Sequence, residues 1–371
     1  MVSSAGRIAW VLPAILFAGC SNVGYYAQSV SGHLEVMRRA QPIPQVLADP
    51  ATPDPVKHRL EQVLAIREFA SRALGLPDNG SYRRYAALDR PYVVWNVFAT
   101  PEFSTRLKEW CFPVAGCVGY RGYYAREEAE AFAAGLKARG YDVLVRGVPA
   151  YSTLGWFDDP VLSTILRYPE TEIARLIFHE LAHQVVYVRD DSVFNESFAT
   201  AVEREGVRRW LEAQGTEAMR AVEAAARGRR EDFVRLVLEY RDRLEEVYGA
   251  DLPREEKRAR KGELLSALAK DYRQLRERWG GFSGYDPWFD GELNNAYLAS
   301  VAAYTQLMPA FEALLAREGG DLPRFYAAVR ALARQDKAAR LAALQALAAR
   351  AGGTEPGRSP PQDARMQRVE W

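Results

Sequence analysis

The chain has 371 residues, 48% hydrophobic and 26% charged, which is enough for one large domain or two and is ordinary for a soluble globular protein. Its formal net charge of +1, with both signs interspersed, argues against a nucleic-acid partner held by bulk electrostatics. Three cysteines and four histidines are few, so their positions carry information.

The N-terminus reads as an export signal. After "MVSSAGR", the run Ile8 to Ala18 has the length of a signal core and is too short for a comfortable membrane span. It ends in "FAGC", where small Ala18 and Gly19 precede Cys20. This resembles a bacterial lipobox, although Phe17 stands where Leu, Val or Ile is usual. The expectation is a signal peptide over 1–19, lipidation of Cys20, and a periplasmic protein anchored to the envelope. A plain secretory signal cleaved nearby is the alternative, and either way the protein is exported. Cys111 and Cys117 bracket "FPVAG", and in an oxidising compartment they are expected to form a disulfide.

In chain order, Ala27 to Ala40 is predicted helical and 41–56 a connector rich in Pro and Asp. Arg59 to Leu74 reads as an amphipathic helix stopped by Gly75 and Pro77. Pro91 to Thr100 and "GCVGYRGYY" read as strands, Arg126 to Gly140 as a helix, and Tyr141 to Val148 as a strand. Beyond residue 160 the pattern is nearly all helical. Asp159 and Pro160 are placed as N-cap and first turn of one helix, and Asp191 or Ser192 as the cap of another. Further helices are predicted over 216–248, 254–278, 292–317 and 322–350, and 351–371 reads as a disordered tail. The fold class is α+β and mostly helical: one domain over 20–350, with a strand-containing part over about 85–158 and a helical part over 159–350.

"LIFHELAHQVVYV" (Leu176 to Val188) is apolar almost all round, yet His179, Glu180, His183, Gln184 and Tyr187 fall on one helical stripe. Two histidines one turn apart can reach one cation, and a glutamate rotated about 100° from the first can reach a water without being a ligand. Burying such a seam unpartnered costs several kcal/mol, on the order of usual desolvation penalties. A catalytic zinc takes three protein ligands plus water, and a structural zinc takes four. With so few histidines an acidic third ligand is economical. Glu196 in "FNESFATAVE" follows His183 by thirteen residues, and Glu203, on about the same face, is the rival. Thr200, Asp190 and Asp191 are candidates to support a ligand.

HExxH followed by a glutamate on the next helix resembles the gluzincin arrangement of zinc metallopeptidases, and "FNESFAT" is similar to the "NEGFA" stretch of the large zinc aminopeptidases. Together with "YYAQSVSGHLEVM", "AYSTLGWFDDPVLST" and "LNNAYL", these segments resemble a family of bacterial putative aminopeptidases, often exported or lipid-anchored. The resemblance implies a zincin-like fold, one Zn²⁺ held by His179, His183 and Glu196, Glu180 as general base, and a peptide substrate. It implies a tyrosine on the oxyanion, with Tyr304 and Tyr297 as candidates. Asn294 and Asn295 lie at a helix start and are candidates either for binding the substrate backbone or for capping that helix. Ser152, Thr153, Leu154 and Gly155 are expected to form an edge strand that pairs with it. Asp158, Asp159 and Glu203 remain open for a substrate amine. The competing readings are an envelope endopeptidase acting on protein or peptidoglycan peptide, a non-catalytic zinc-binding lipoprotein, and a metal-free helical lipoprotein whose seam is a hydrogen-bonded core.

Overall fold

The computed structural model describes residues 11–113 and 116–352, with side chains between Val23 and Arg350. Residues 1–10 of the expected signal, the Cys20 side chain and residues 353–371 of the expected tail lie outside the described residues. The chain is mostly helical with small sheets, an α+β arrangement. Where the sequence reads as one domain over 20–350, two compact units are described, Met1–Met308 and Pro309–Trp371.

In the first unit, α1 (Val11–Arg39) is one helix that starts well before the predicted Ala27. After β1 (Gln41–Pro42) and α2 (Ile43–Ala48), α3 (Asp54–Arg72) buries Leu60, Val63, Ile66 and Ala70 completely. β2 (Arg84–Ala86) joins β1 to a later strand at Val161–Leu162 in a small three-stranded sheet.

A second sheet positions the site. β3 (Val94–Pro101) is followed by the hairpin β4 (Trp110–Phe112) and β5 (Gly116–Val118), then β6 (Arg121–Tyr123), α4 (Arg126–Lys137) and β7 (Tyr141–Val148). The strand order is β6-β3-β7, antiparallel throughout, with Val94 opposite Val148 and Asn96 opposite Gly122. Successive side chains point to opposite faces. Val97, Ala99 and Val143 therefore pack on Ala129, Ala133 and Leu136 of α4. On the other face Val94 and Asn96 front a cavity. On the β4–β5 ladder Cys111 lies opposite Cys117, and the two are joined by a disulfide.

β8 (Val161–Leu162) and α5 (Ser163–Leu166) replace the predicted helix start at Asp159 and Pro160. Asp159 instead turns back to accept from the Thr153 N–H at 2.8 Å. α6 (Glu170–Val185) opens with Glu170 and Glu172 in its first turn, where the helix dipole favours acids. α7 (Ser192–Gln214) follows a short turn and is capped by Asp191, which accepts from the Phe194 N–H at 3.3 Å. The two helices pack closely because Gly206 has no side chain: a Cβ there would lie 2.6 Å from the Phe178 ring. α8 (Glu217–Gly249), α9 (Arg254–Arg278) and α10 (Asn295–Thr305) complete the unit, with Ala296 of α10 packed on Phe98 and Leu144 of the sheet.

The predicted helix 292–317 is two helices, since α11 (Met308–Arg317) restarts after Leu307, whose N–H goes to Ser197 Oγ at 3.2 Å. The second unit also contains α12 (Leu322–Ala333) and α13 (Lys337–Gly352). These divide the predicted 322–350 helix at Asp336, which accepts from the Ala339 N–H at 2.9 Å.

Candidate active site

The seam on α6 meets α7 at a cluster of facing lone pairs. His179 Nε2 lies 3.2 Å from Glu196 Oε2 and 3.2 Å from His183 Nε2, and His183 Nε2 lies 3.7 Å from the same carboxylate oxygen. One ligand atom from each of the three residues falls within 4.8 Å of the others. Glu203, one face-repeat further along α7, accepts from His179 Nδ1 at 2.8 Å. Arg175 Nη1 stands 3.5 Å from Glu203, and Arg175 Nη2 donates to Glu223 at 2.5 Å, so the outer carboxylate is itself held by a buried guanidinium.

This donor set fits a divalent metal. With a proton on Nδ1 directed at Glu203, the neutral His179 ring would present its Nε2 lone pair towards Glu196 and His183. His183 Nδ1 is buried with no hydrogen-bond partner among the described residues, so a satisfied core network does not account for the seam. Acceptors converging in this way are held together by a shared proton or by a cation. With no cation between them, the carboxylates draw a proton onto the imidazole instead. Burial lowers the His179 pKa, but the Glu196 and Glu203 carboxylates outweigh it and raise the pKa well above the ordinary value. Burial works against ionised Glu196, yet His183 and His179 hold its carboxyl down at about 2. Glu180 is different. Burial raises its pKa despite the two histidines, which makes it the more basic carboxylate of the pair.

His179, Glu180, His183 and Glu196 line a cavity of about 460 Å³ between α6, α7, the β6–β3 sheet face and α1. Tyr304 of α10 lines it too, its ring 6.4 Å from that of His179. The Glu196 charge, then burial, raises the Tyr304 pKa well above the usual value, so it is a neutral donor. Tyr297 lies instead against Trp288, with ring centroids 6.0 Å apart, away from the cavity. Tyr120 is a cavity residue missed by sequence reasoning. Burial, followed by the charges of Glu196 and its neighbours, raises its pKa as well. The only sequence signal was its place in the aromatic, glycine-rich "GCVGYRGYY".

Several expected substrate contacts are corrected. Residues 152–155 are no strand: Leu154 has φ 57° and Gly155 φ 82°, consecutive left-handed positions that turn the chain. Ser152 and Leu154 do line the cavity, but Thr153 is tied to Asp159. Asn294 caps α10 and donates to Val143 O at 3.1 Å. Asn295 is fully buried, accepting from Tyr248 and donating to Glu102 O, so neither asparagine is available to a peptide. Of the acids considered for an amine, Glu203 is used by His179. Asp158 is exposed, and Asp159 is buried behind the 152–155 turn, where burial pushes its carboxyl up to about 6 against the pull of the Thr153 hydrogen bonds.

His179 and His183 on one helix and Glu196 on the next form a candidate metal-binding group at the wall of the cavity. The model of the family described as "Putative aminopeptidase" matches residues 24–344. The chain belongs to this family, and at that level it is a peptidase acting on peptide substrates. No curated protein and no solved structure matches it.

Proposed function

We propose that the protein is a zinc-dependent aminopeptidase with a gluzincin-type site, exported and anchored through a lipid on Cys20 at the periplasmic side of the envelope. The observation that carries this reading is the convergence of His179, His183 and Glu196 on one point of the cavity that Glu180 and Tyr304 also line.

In this reading His179, His183 and Glu196 hold the ion, and Glu203 fixes the His179 tautomer and ring orientation. Bound zinc supplies a Lewis acid that polarises the scissile carbonyl and acidifies water. Glu180, buried and made more basic by burial, takes the proton of the attacking water and returns it to the leaving amine. Tyr304 donates its hydroxyl proton in a hydrogen bond to the oxyanion. The set of three ligand residues supports a catalytic rather than a structural ion, which would take a fourth.

The test is elemental analysis of the full-length protein beside its Glu196→Ala variant, followed by turnover of free and N-blocked peptides. Expected are about one zinc per chain, its loss in the variant, and turnover of the free peptides only. Equal cleavage of N-blocked peptides would move the reading to an endopeptidase. A metal-free protein after zinc resupply would end it.

A further inference from the structure

The outer edge of β6 is occupied by a side chain from the N-terminal helix. Gln28 Nε2 donates to Ser29 Oγ at 2.8 Å and to Gly122 O at 3.4 Å, and Gln28 Oε1 accepts from the Tyr124 N–H at 3.1 Å. In an extended strand the N–H and C=O of one residue point to the same side, and those of its neighbours to the other. Arg121 and Tyr123 are thereby turned towards β3, while Gly122 and Tyr124 face outward. A carbonyl at one residue and an N–H two residues on are the pair that an added strand engages on an edge. The Gln28 carboxamide has the same donor and acceptor as a peptide unit, and it fills that place.

This edge runs into the cavity. Tyr120 and Gly122 line it beside His179 and Glu180, and so do Tyr25 and Ser29, which flank Gln28 on α1. α1 is seated firmly there. Gly32 lies against the Tyr124 ring so closely that a Cβ would clash with it, and His33 Nδ1 is 2.8 Å from the Tyr151 hydroxyl. Asp159 is an electrostatic neighbour of both Tyr124 and Tyr151, so the end closed by α1 carries a buried carboxyl. The nearby Arg90 is paired with Glu35 at 3.0 Å.

We propose that Gln28 is a specificity-determining residue: it completes the β6 edge as a strand surrogate and, for a peptide that pairs antiparallel along Tyr120–Gly122 as the strands of this sheet do, stops it from extending further at its amino end. This rests on the peptidase reading above and deepens it, because a cleft closed at the amino end selects peptides with few residues before the scissile bond. Gln28 touches no reacting atom, so its effect falls on length preference.

Binding, not turnover, tests this. The full-length, zinc-loaded Glu180→Gln protein in detergent is titrated with peptides lengthened one residue at a time at either end. The same series is run with Gln28→Ala added. Gln28→Met, which keeps the volume and loses both bonds to the β6 edge along with the one to Ser29, serves where the alanine variant is too unstable to purify. Expected is a sharp affinity limit on amino-end extension only. The variant should shift the long-to-short affinity ratio by about tenfold in favour of the long peptides, the size expected of one or two backbone hydrogen bonds. Amide hydrogen exchange at Tyr124 should quicken alongside. A limit at the carboxyl end, no limit, no peptide binding, or a ratio unmoved by either substitution would overturn the assignment. Intact, length-limited binding in a wild-type protein that turns nothing over would count against the reaction proposed above and leave Gln28 standing.

Discussion

At the scale of single residues, Glu196 and Glu203 lie on one face of α7 and do different work. Glu196 reaches the Nε2 side of His179, and Glu203 the Nδ1 side. Removing an outer carboxylate typically weakens metal affinity by about 10- to 100-fold without abolishing it. Glu203→Ala is therefore expected to retain zinc with an affinity lowered by that factor, read by competition with a chromophoric chelator, while Glu196→Ala retains none. Asp159 supplies a pH signature. Its carboxyl is raised from 3.8 to about 6, chiefly by burial, so between these values the folded chain binds more protons than the unfolded one. Stability from this group is present below pH 4 and lost as pH rises towards 6. Relative to the parent, Asp159→Asn should gain up to about 3 kcal/mol across that window and stay level above it, measured by urea unfolding at a series of pH values. The HExxH spacing alone revealed His179, Glu180 and His183, because helical periodicity converts sequence distance into a face. The role of Glu203 was hidden. Its distinction from Glu196 depends on how α7 seats against α6, which no pattern within one helix encodes.

At the scale of elements, the structure follows the sequence where local chemistry decides and departs where a partner decides. β7 spans Tyr141–Val148 and α9 spans Arg254–Arg278, both as predicted, since a glycine stop and a proline start bound them. Asp191 caps α7 as expected. The turn at 152–155 was read as a strand because nothing in "STLG" announces a left-handed leucine; the bond from Thr153 to Asp159 holds it. Sequence leaves Asn294 and Asn295 open between substrate and helix cap because their burial partners, Val143, Tyr248 and Glu102, are distant along the chain. The β4–β5 hairpin shows an element acting on the site from outside. The Cys117 N–H donates to Asp190 Oδ1 at 2.6 Å, so the hairpin braces the turn that joins α6 and α7. The Cys111–Cys117 bridge has a sequence separation of only 6, and chain-entropy arguments give a loop of this size about 2 kcal/mol. The double serine variant is expected to melt several degrees lower and to keep its zinc, as followed by calorimetry and elemental analysis. Loss of zinc would assign the hairpin a larger part in holding α6 and α7 together.

At the scale of the whole chain, metal and fold are expected to be coupled within the first unit. In the proposed reading, the buried acceptors of the site destabilise α6 and α7 unless protons or a cation join them. An ion present at a thousand times its dissociation constant adds about 4 kcal/mol to the folded state. Chelation should therefore lower the melting temperature of the parent protein markedly and that of Glu196→Ala hardly at all, by differential scanning fluorimetry. A chelator-insensitive parent would mean that the acceptors are neutralised by protons instead.

The continuity of α1 has a mechanical consequence. Val11 to Arg39 is one helix, so Cys20 and Gln28 sit on the same rod. Eight residues at 1.5 Å of rise each separate them by about 12 Å. With Cys20 acylated as proposed, the connection to the bilayer is a short stiff strut rather than a leash, and it ends in the wall of the cleft. Such an enzyme has almost no reach. It works on chain ends that arrive at the membrane surface, and lengthening the strut with flexible residues would change where it can cut before it changed what it can cut.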